Sequence, residues 1–370
     1  MPKKKPVSKL VAKIPKKATH PLLETKVPKK PPYAGWDLFK HGVSQSLLQK
    51  FQTDVERTHI RIVRGLKETT RKEAMEYGSI FHKIDEYACT LGKKCTERSL
   101  SEIMSLYMKK VYPYAESIML CKIAIMQYFH YLKWEESRPK YNHIEQEPIF
   151  DEKYELPPLY FKAEGIEIRI PSGVTIRLRG RIDGIIENCG MWIKENKTKS
   201  QINIIHLQDT IHANIQVMFY ALCSELKYGR PCKGVVYNVI RKPGQRQKIK
   251  ESDANYIERI SGEIEKDPEY YFHRLTVEFA PGQVDKWVRQ ELLPLLYRVY
   301  IWWKSIERNP LEPWVDENGN PNPFHGRKSF GIYDPMSMGK GDFYNLIVYG
   351  RKQDLIHDPE QFPELQNDDD

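Results

Sequence analysis

The stretch Gly180-Arg181-Ile182-Asp183-Gly184-Ile185-Ile186, followed after a short turn by Trp192-Ile193-Lys194-Glu195-Asn196-Lys197-Thr198-Lys199, decides how this chain is read. An acid closes one apolar run, and a second apolar run carries Glu and Lys two positions apart. Residues i and i+2 of a strand share a face, so Glu195 and Lys197 project together while the Asn196 side chain points away. Charges beside Trp192 and Ile193 are costly to bury unless they meet partners. If Asp183 comes alongside from the neighbouring strand, the two carboxylates offer oxygen ligands to a hard cation such as Mg²⁺, and the Asn196 carbonyl offers another. Lys197 would then orient the attacking water and help deprotonate it, and the cation would neutralise charge on a phosphate. The same residues admit a plainer reading, a salt-bridged hairpin pairing Glu195 with Lys197 or with Arg181.

Working outward, residues 144–150, 165–170, 174–187 and 191–195 are rich in Ile, Val and aromatics, with Pro171-Ser172-Gly173 and Asn188-Cys189-Gly190 as hairpin turns between them. This predicts an antiparallel meander. A helix is expected from about 204 to 227, and Gly234–Arg241 returns as a strand. That order, three strands, a helix and a strand, predicts an α/β core: a mixed central sheet flanked by helices. Before it, Ser44 caps a helix that places Leu47, Leu48 and Phe51 on one face. A second helix is expected over Gly78–Cys89 and long helical patterns over roughly 98–135, a helical N-terminal insertion. Beyond the core a helix over about 282–308 spaces Trp287, Leu292, Leu296, Tyr300 and Trp303 for burial, a C-terminal helical extension. The expected organisation is a basic tail over 1–33, one domain over 34–350 (helical part 34–140, catalytic core 141–245, extension 246–350) and an acidic tail over 351–370.

Composition narrows the function classes. Of 370 residues, 40% are hydrophobic, enough for a packed core. No apolar run approaches the roughly 20 residues that span a bilayer, and no apolar stretch follows the basic N-terminus as in a secretory signal. A soluble, cytoplasmic protein is expected, the host cytoplasm if the chain is viral; Lys3, Lys4 and Lys5 leave a nuclear address open. Six scattered cysteines without a CxxC pair read as free thiols. The net charge of +9 resides in residues 1–33, whose ten lysines face one acid, Glu24, so the basic pI describes a tail rather than a folded surface. Such a tail suits salt-dependent contact with phosphate backbones, or simply solubility.

Four features in order resemble the RecB-like branch of the PD-(D/E)XK nucleases: Ser44-Gln45-Ser46-Leu47-Leu48-Gln49-Lys50-Phe51 near the start, Gly78-Ser79-Ile80-Phe81-His82, the Gly-x-Ile-Asp-Gly and Glu-x-Lys-Thr pair quoted above, and Gln216-Val217-Met218-Phe219-Tyr220. Each is weak alone; together they are specific, and they span roughly residues 42–245. The resemblance implies a restriction-endonuclease-like core with His82, Asp183, Glu195 and the Asn196 carbonyl as metal ligands for Mg²⁺ or Mn²⁺. It implies Lys197 as the catalytic lysine, with Gln216 and Tyr220 positioning it or touching the DNA strand. Glu86, one turn beyond His82, would support the site or lie on the surface. Arg179, Arg181 and Lys199 flank the site as candidates for phosphate contact, or as exposed strand charges. The chain departs from the branch in two respects: no cysteine stands near Thr53 and none follows Cys232, so no iron–sulfur cluster is expected and the Gly- and aromatic-rich Pro321–Tyr349 would fold over that region by packing instead; and beyond about residue 250 the chain carries no motif of the branch.

The function this implies is a divalent-metal-dependent deoxyribonuclease acting on DNA, an exonuclease of replication, recombination or repair with proteins of those processes as partners. A virus-encoded enzyme fits the compact layout. The helical insertion would arch over the site and admit only a strand end. A structure-selective endonuclease on the same core and a catalytically inactive DNA-binding protein are the alternatives. Tyr270-Tyr271-Phe272-His273-Arg274 reads as core packing, with stacking on single-stranded DNA as the other choice.

Overall fold

A computed structural model describes residues 36–68, 73–112, 114–163, 166–308 and 355–357. The tails and Pro321–Tyr349 lie outside the described residues.

The fold is a mixed α/β arrangement built around two sheets. The five-stranded sheet has the order Phe272–Glu278, Cys232–Arg241, Met191–Lys199, Gly184–Glu187, Asn142–Gln146. Met191–Lys199 and Cys232–Arg241 run parallel and the other pairs antiparallel, so the sheet is mixed. The parallel pair is joined through the helix Ile215–Tyr228, as parallel neighbours need a crossover. The three-stranded sheet has the order Val43–Ser44, Thr175–Arg181, Ile149–Glu155.

The expected strand over 174–187 is two strands that belong to different sheets. Thr175–Arg181 pairs with Ile149–Glu155, and Gly184–Glu187 pairs with Asn142–Gln146. A long antiparallel ribbon therefore bends at Ile182–Asp183 and, on its partner, at Glu147–Pro148. Pro148 has no N–H to give the ladder, and Glu147 sits at φ 50. The Glu147 N–H still donates to the Asp183 carbonyl at 3.2 Å, which holds the corner shut.

Two other expectations are corrected. Pro171-Ser172-Gly173 does not fold its flanking strands onto each other: Ile166–Ile170 turns back on Leu159–Ala163 instead. The helix over 204–227 is interrupted. Ile204–Thr210 ends in a 3-10 turn, and a new helix starts at Asn214, which has extended backbone and accepts from the Gln216 and Val217 N–H groups at 2.9 and 3.3 Å. An asparagine that satisfies two free N–H groups is a start signal, and it resets the phase of the helix. Asn188-Cys189-Gly190 does make a hairpin turn, with Cys189 and Gly190 at φ 51 and 136.

Helices cover both faces of the large sheet. On one face Ile193, Val235, Tyr237 and Val239 pack with the helix Ile215–Tyr228, the Ser44-capped helix Gln45–Thr53 and the helix Leu293–Arg308, where Trp302 lies 5.4 Å from Trp36 and 5.1 Å from Phe51. On the rear face Ile240 and Phe272 pack with the helices Glu73–Leu91, Glu97–Val111, Ala115–Glu136 and Asp253–Lys266. The helix Ala115–Glu136 is apolar around most of its girth and so must be buried on several sides. It lies behind the sheet, which corrects the expected arch over the site; Glu97–Val111 leans on the helix Glu73–Leu91, with Lys83 Nζ 5.8 Å from the Tyr107 ring. Beyond residue 245 the chain also supplies a strand, Phe272–Glu278, which buries Phe272 at the sheet edge.

Candidate metal centre

Three of the four sequence motifs bring side chains to the bend; the fourth, the Ser44-capped helix, packs its Leu47, Leu48 and Phe51 into the core. Asp183 sits at the corner itself, where leaving one sheet for the other frees its side chain from the ladder. Its Oδ2 accepts from the Asn196 N–H at 2.5 Å, which ties the corner to the strand Met191–Lys199. His82 reaches in from the helix Glu73–Leu91 and places Nδ1 3.4 Å from Asp183 Oδ1. That helix lies close because Gly78 faces the strand: a Cβ there would stand 3.0 Å from Thr198 Oγ1. Glu195, 3% exposed, shares a face with Lys197, and its Oε1 meets both the Lys197 ammonium and, at 2.8 Å, the Gln216 side-chain amide. Tyr220, one turn on, hydrogen bonds to Gln216 and lays its ring on Gly180, where a Cβ would be 2.8 Å from the ring. The glycine of one motif is thus the seat of the tyrosine of another.

Asp183, Glu195, Lys197, His82, Gln216 and Tyr220 therefore meet in one place. Asn196 is divided. Its backbone N–H serves Asp183, and its side chain points to the rear face, where Nδ2 donates to Asp85 at 3.0 Å and Oδ1 accepts from Asn238 at 2.8 Å. Only main-chain atoms of Asn196 can face a cation on the Glu195 side. Of the flanking cations, Arg181 is held by Glu147 and, at 3.1 Å, by Glu86, which also pairs with Lys83. Arg179 lies near His41 on the smaller sheet. Lys199 lines an open cavity of about 270 Å³ with Tyr77, Thr198, Ser200, Gln201 and Lys242 at the end of the strand. In the segment Tyr270–Arg274, Tyr271 and Phe272 are buried and Arg274 is 9% exposed and bonded to Glu135 and Asn238, whereas Tyr270 is 49% exposed.

The electrostatics follow from burial. Burial is the largest cause that lifts the Glu195 carboxyl; Lys197 pulls it down and the Asp183 charge pushes it up again, leaving it raised to about 7. Burial alone would raise Asp183 too, but the His82 hydrogen bond and charge, with Lys197 and the Asn196 N–H, hold it below the ordinary value. Burial opposes charge on His82 and Lys197, yet Asp183 raises the first and Glu195 the second, so Lys197 stays an ammonium.

Residues 43–308 match the family model of the PD-(D/E)XK nuclease superfamily. The chain belongs to that superfamily. No curated protein matches the sequence. Membership in the PD-(D/E)XK superfamily makes this a divalent-metal-dependent nuclease fold, whose chemistry is hydrolysis of phosphodiester bonds in nucleic acid. Among the described residues no helix is long and apolar enough to cross a membrane.

The donor set fits the metal such an enzyme uses. Two carboxylates share a buried pocket, and burial, with the Asp183 charge beside it, lifts the Glu195 carboxyl above its ordinary value, a cost that a bound cation would relieve. Hard oxygen donors of this kind suit Mg²⁺. As the side chains stand, no three His, Cys, Asp or Glu side chains among the described residues converge as a ready ligand set: His82 is turned onto Asp183, and Lys197 onto Glu195.

The polar cluster behind the strand, Asp85, Asn238, Arg274, Glu135, Lys194 and Tyr131, was not found by reading motifs. Two signals point to it: Asp85 stands three residues after His82 on one helix, and Asn238 interrupts the apolar run Val235-Val236-Tyr237-Asn238-Val239-Ile240.

Proposed function

We propose that the chain is a Mg²⁺- or Mn²⁺-dependent DNA exonuclease of the RecB-like branch, acting in replication, recombination or repair in the cytoplasm. The observation that carries this reading is the convergence of His82, Asp183, Glu195, Lys197 and Gln216, from four separate elements, at one bend between two sheets. Asp183 and Glu195 would hold the cation, with His82 and the Asn196 carbonyl as further donors. A cation bound there would supply charge to neutralise the scissile phosphate and would make water more acidic. Lys197, as an ammonium, donates hydrogen bonds: it orients the attacking water and stabilises charge that builds on the phosphate oxygens. The water oxygen bonds to phosphorus in line, the bond to the 3′-oxygen breaks, the proton lost by the water passes to solvent, and the leaving 3′-oxygen takes up a proton from solvent to depart as the hydroxyl. Gln216 keeps Glu195 turned toward the site, and Tyr220 holds Gln216. Arg181 and Lys199 meet phosphates on either side, with Arg181 exchanging Glu86 or Glu147 for the strand.

Incubation of linear and closed circular DNA with the protein and Mg²⁺ tests this. The linear form should be degraded and the circle left intact. Cleavage of the circle would replace the exonuclease reading with an endonuclease on the same core. No cleavage of either form in Mg²⁺ or Mn²⁺, with DNA binding retained, would leave an inactive DNA-binding protein.

A further inference from the structure

Behind the strand Met191–Lys199 runs a chain of hydrogen bonds with a single allowed direction. Asp85 Oδ2 accepts from Asn196 Nδ2 at 3.0 Å, Asn196 Oδ1 accepts from Asn238 Nδ2 at 2.8 Å, and Asn238 Oδ1 accepts from Arg274 Nε at 2.8 Å. A carboxylate only accepts and a guanidinium only donates, so the two ends fix the orientation of both amides between them. Each end is anchored. Tyr128 donates to Asp85 Oδ1 at 2.8 Å, and Glu135 receives Arg274 at 2.7 Å and Lys194 at 3.1 Å. Asn196 and Asn238 are 2% and 0% exposed, so these bonds form away from water.

We propose that the chain Asp85–Asn196–Asn238–Arg274 is the positioning device of the metal centre: it sets the phase of the strand that carries Glu195 and Lys197 and ties it to the helix that carries His82. The neighbours of Asn196 in sequence are Glu195 and Lys197, and its own N–H holds Asp183. Asp85 lies one helical turn from His82. One residue therefore connects the strand, the bend and the helix of His82, while the helix Ile215–Tyr228 joins from the front through Gln216. A rotation of the strand by a few degrees would move both front side chains, which lie on the same face. Partners one step removed from the ligands typically change metal affinity by about 10–100-fold when altered.

The inference rests on the nuclease reading, and its test keeps the two apart. Asp85→Leu removes the acceptor at the end of the chain; an amide alone would not, because its oxygen could face Asn196 while its Nδ2 turned to the Tyr128 hydroxyl, which can accept. Asp85→Asn combined with Asn196→Asp reverses donor and acceptor across the same pair, and every bond can form again: the new carboxylate accepts from Asn238 and from the new amide, which in turn accepts from Tyr128. Two quantities are measured on metal-free and Mn²⁺-titrated protein: amide hydrogen exchange of residues 193–198, and Mn²⁺ affinity by electron paramagnetic resonance. The expected result is faster exchange and about tenfold weaker Mn²⁺ binding in Asp85→Leu, with both close to wild type in the double variant. Arg274→Lys, which keeps the charge beside Glu135 and loses the Asn238 bond, should show the same change to a smaller degree and serves if Asp85→Leu does not fold. Unchanged exchange and affinity in the single variants overturns the proposal, as does a folded double variant that recovers neither. A wild type that neither takes up Mn²⁺ nor cuts DNA refutes the nuclease reading instead, while the exchange data still decide whether the chain holds the strand.

Discussion

The two faces of the strand Met191–Lys199 handle charge in opposite ways. On the rear, Lys194 and Arg274 share Glu135, Asn196 has both its donor and its acceptor engaged, and Asp85 receives two hydrogen bonds. On the front, two carboxylates share a buried corner, and Glu195 is raised to about 7. At the rear Lys194 and Arg274 find their anion in Glu135, and Asp85, though burial lifts its carboxyl above the ordinary value, has a hydrogen-bond donor on each oxygen. The front groups gain most from something brought from outside, a cation and a phosphate. A strand with alternating faces lets one stretch of chain be both rigid support and reactive site, and the difference is tunable by single residues.

The comparison is broken most severely by emptying the front. Asp183→Ala or Lys197→Ala should lower Mg²⁺-dependent cleavage about a thousandfold, the scale of losing a group that stabilises developing charge. The folded state and DNA binding should remain, with melting lowered because Asp183 holds the Asn196 N–H and Lys197 pairs with Glu195; loss of binding or of folding altogether would mean these side chains are structural. Breaking the rear should do the converse. Glu135→Gln leaves Lys194 and Arg274 without their anion and should cost about 3 kcal/mol in denaturant unfolding at pH 7. Burial raises the Glu135 carboxyl, but Lys194 and then Arg274 outweigh it and hold the carboxyl below its ordinary value. A depressed carboxylate contributes stability above its unfolded value, and that contribution is lost as pH falls through the folded one. The gap between wild type and Glu135→Gln should therefore close on acidification below about pH 4.5; a gap independent of pH would contradict the charge pairing.

How much of this was legible in the sequence depends on the range of each cue. Glu195 and Lys197 could be placed because a two-residue spacing fixes their shared face, and His82 because Gly78 and its neighbours form a local motif. The helix Gln45–Thr53 carried its own start signal in Ser44. The bend at Ile182–Asp183 was not legible, because Ile182 continues the apolar run and the cue, Pro148, lies on the partner strand. The helix break has a local cue in Asn214, which caps Ile215–Tyr228, but the apolar spacing runs on across it. The rear network joins residues from Asp85 to Arg274, and no local pattern records a contact between positions so far apart. The helices behind the sheet were recognised as helices but assigned to the wrong side, since amphipathic spacing shows that a face is buried and not against what.

A finer break tests whether the smaller sheet and the helix Ile215–Tyr228 are fitted to each other. Gly180→Ala would bring a Cβ to 2.8 Å from the Tyr220 ring, and the ring is wedged beside Phe150 at a centroid distance of 6.2 Å. Overpacking of this kind costs about 2 kcal/mol. Tyr220→Ala removes the obstacle at the expense of a cavity, so the double variant should be less destabilised than the sum of the two single ones. Strict additivity in urea unfolding would show that the glycine serves the bend for another reason.

The smallest effect should come from Gln216→Ala. Its amide donates to Glu195 Oε1, the oxygen that also meets Lys197. Losing it leaves the carboxylate with a partner, so folding should hold. What is lost is a constraint on rotation: Lys197, a flexible ammonium, can follow Glu195 as it turns, whereas the amide is fixed at the head of a helix capped by Asn214. One hydrogen bond to a charged group is worth about 1.5–3 kcal/mol in place, and the lysine should recover part of it, leaving roughly a tenfold loss in cleavage rate at saturating DNA. Higher Mg²⁺ should restore much of that rate, because a cation draws Glu195 to the same position that the amide holds. If added Mg²⁺ restores nothing, Gln216 acts on the nucleic acid strand rather than on the carboxylate, and the front face then has one more group turned toward the substrate.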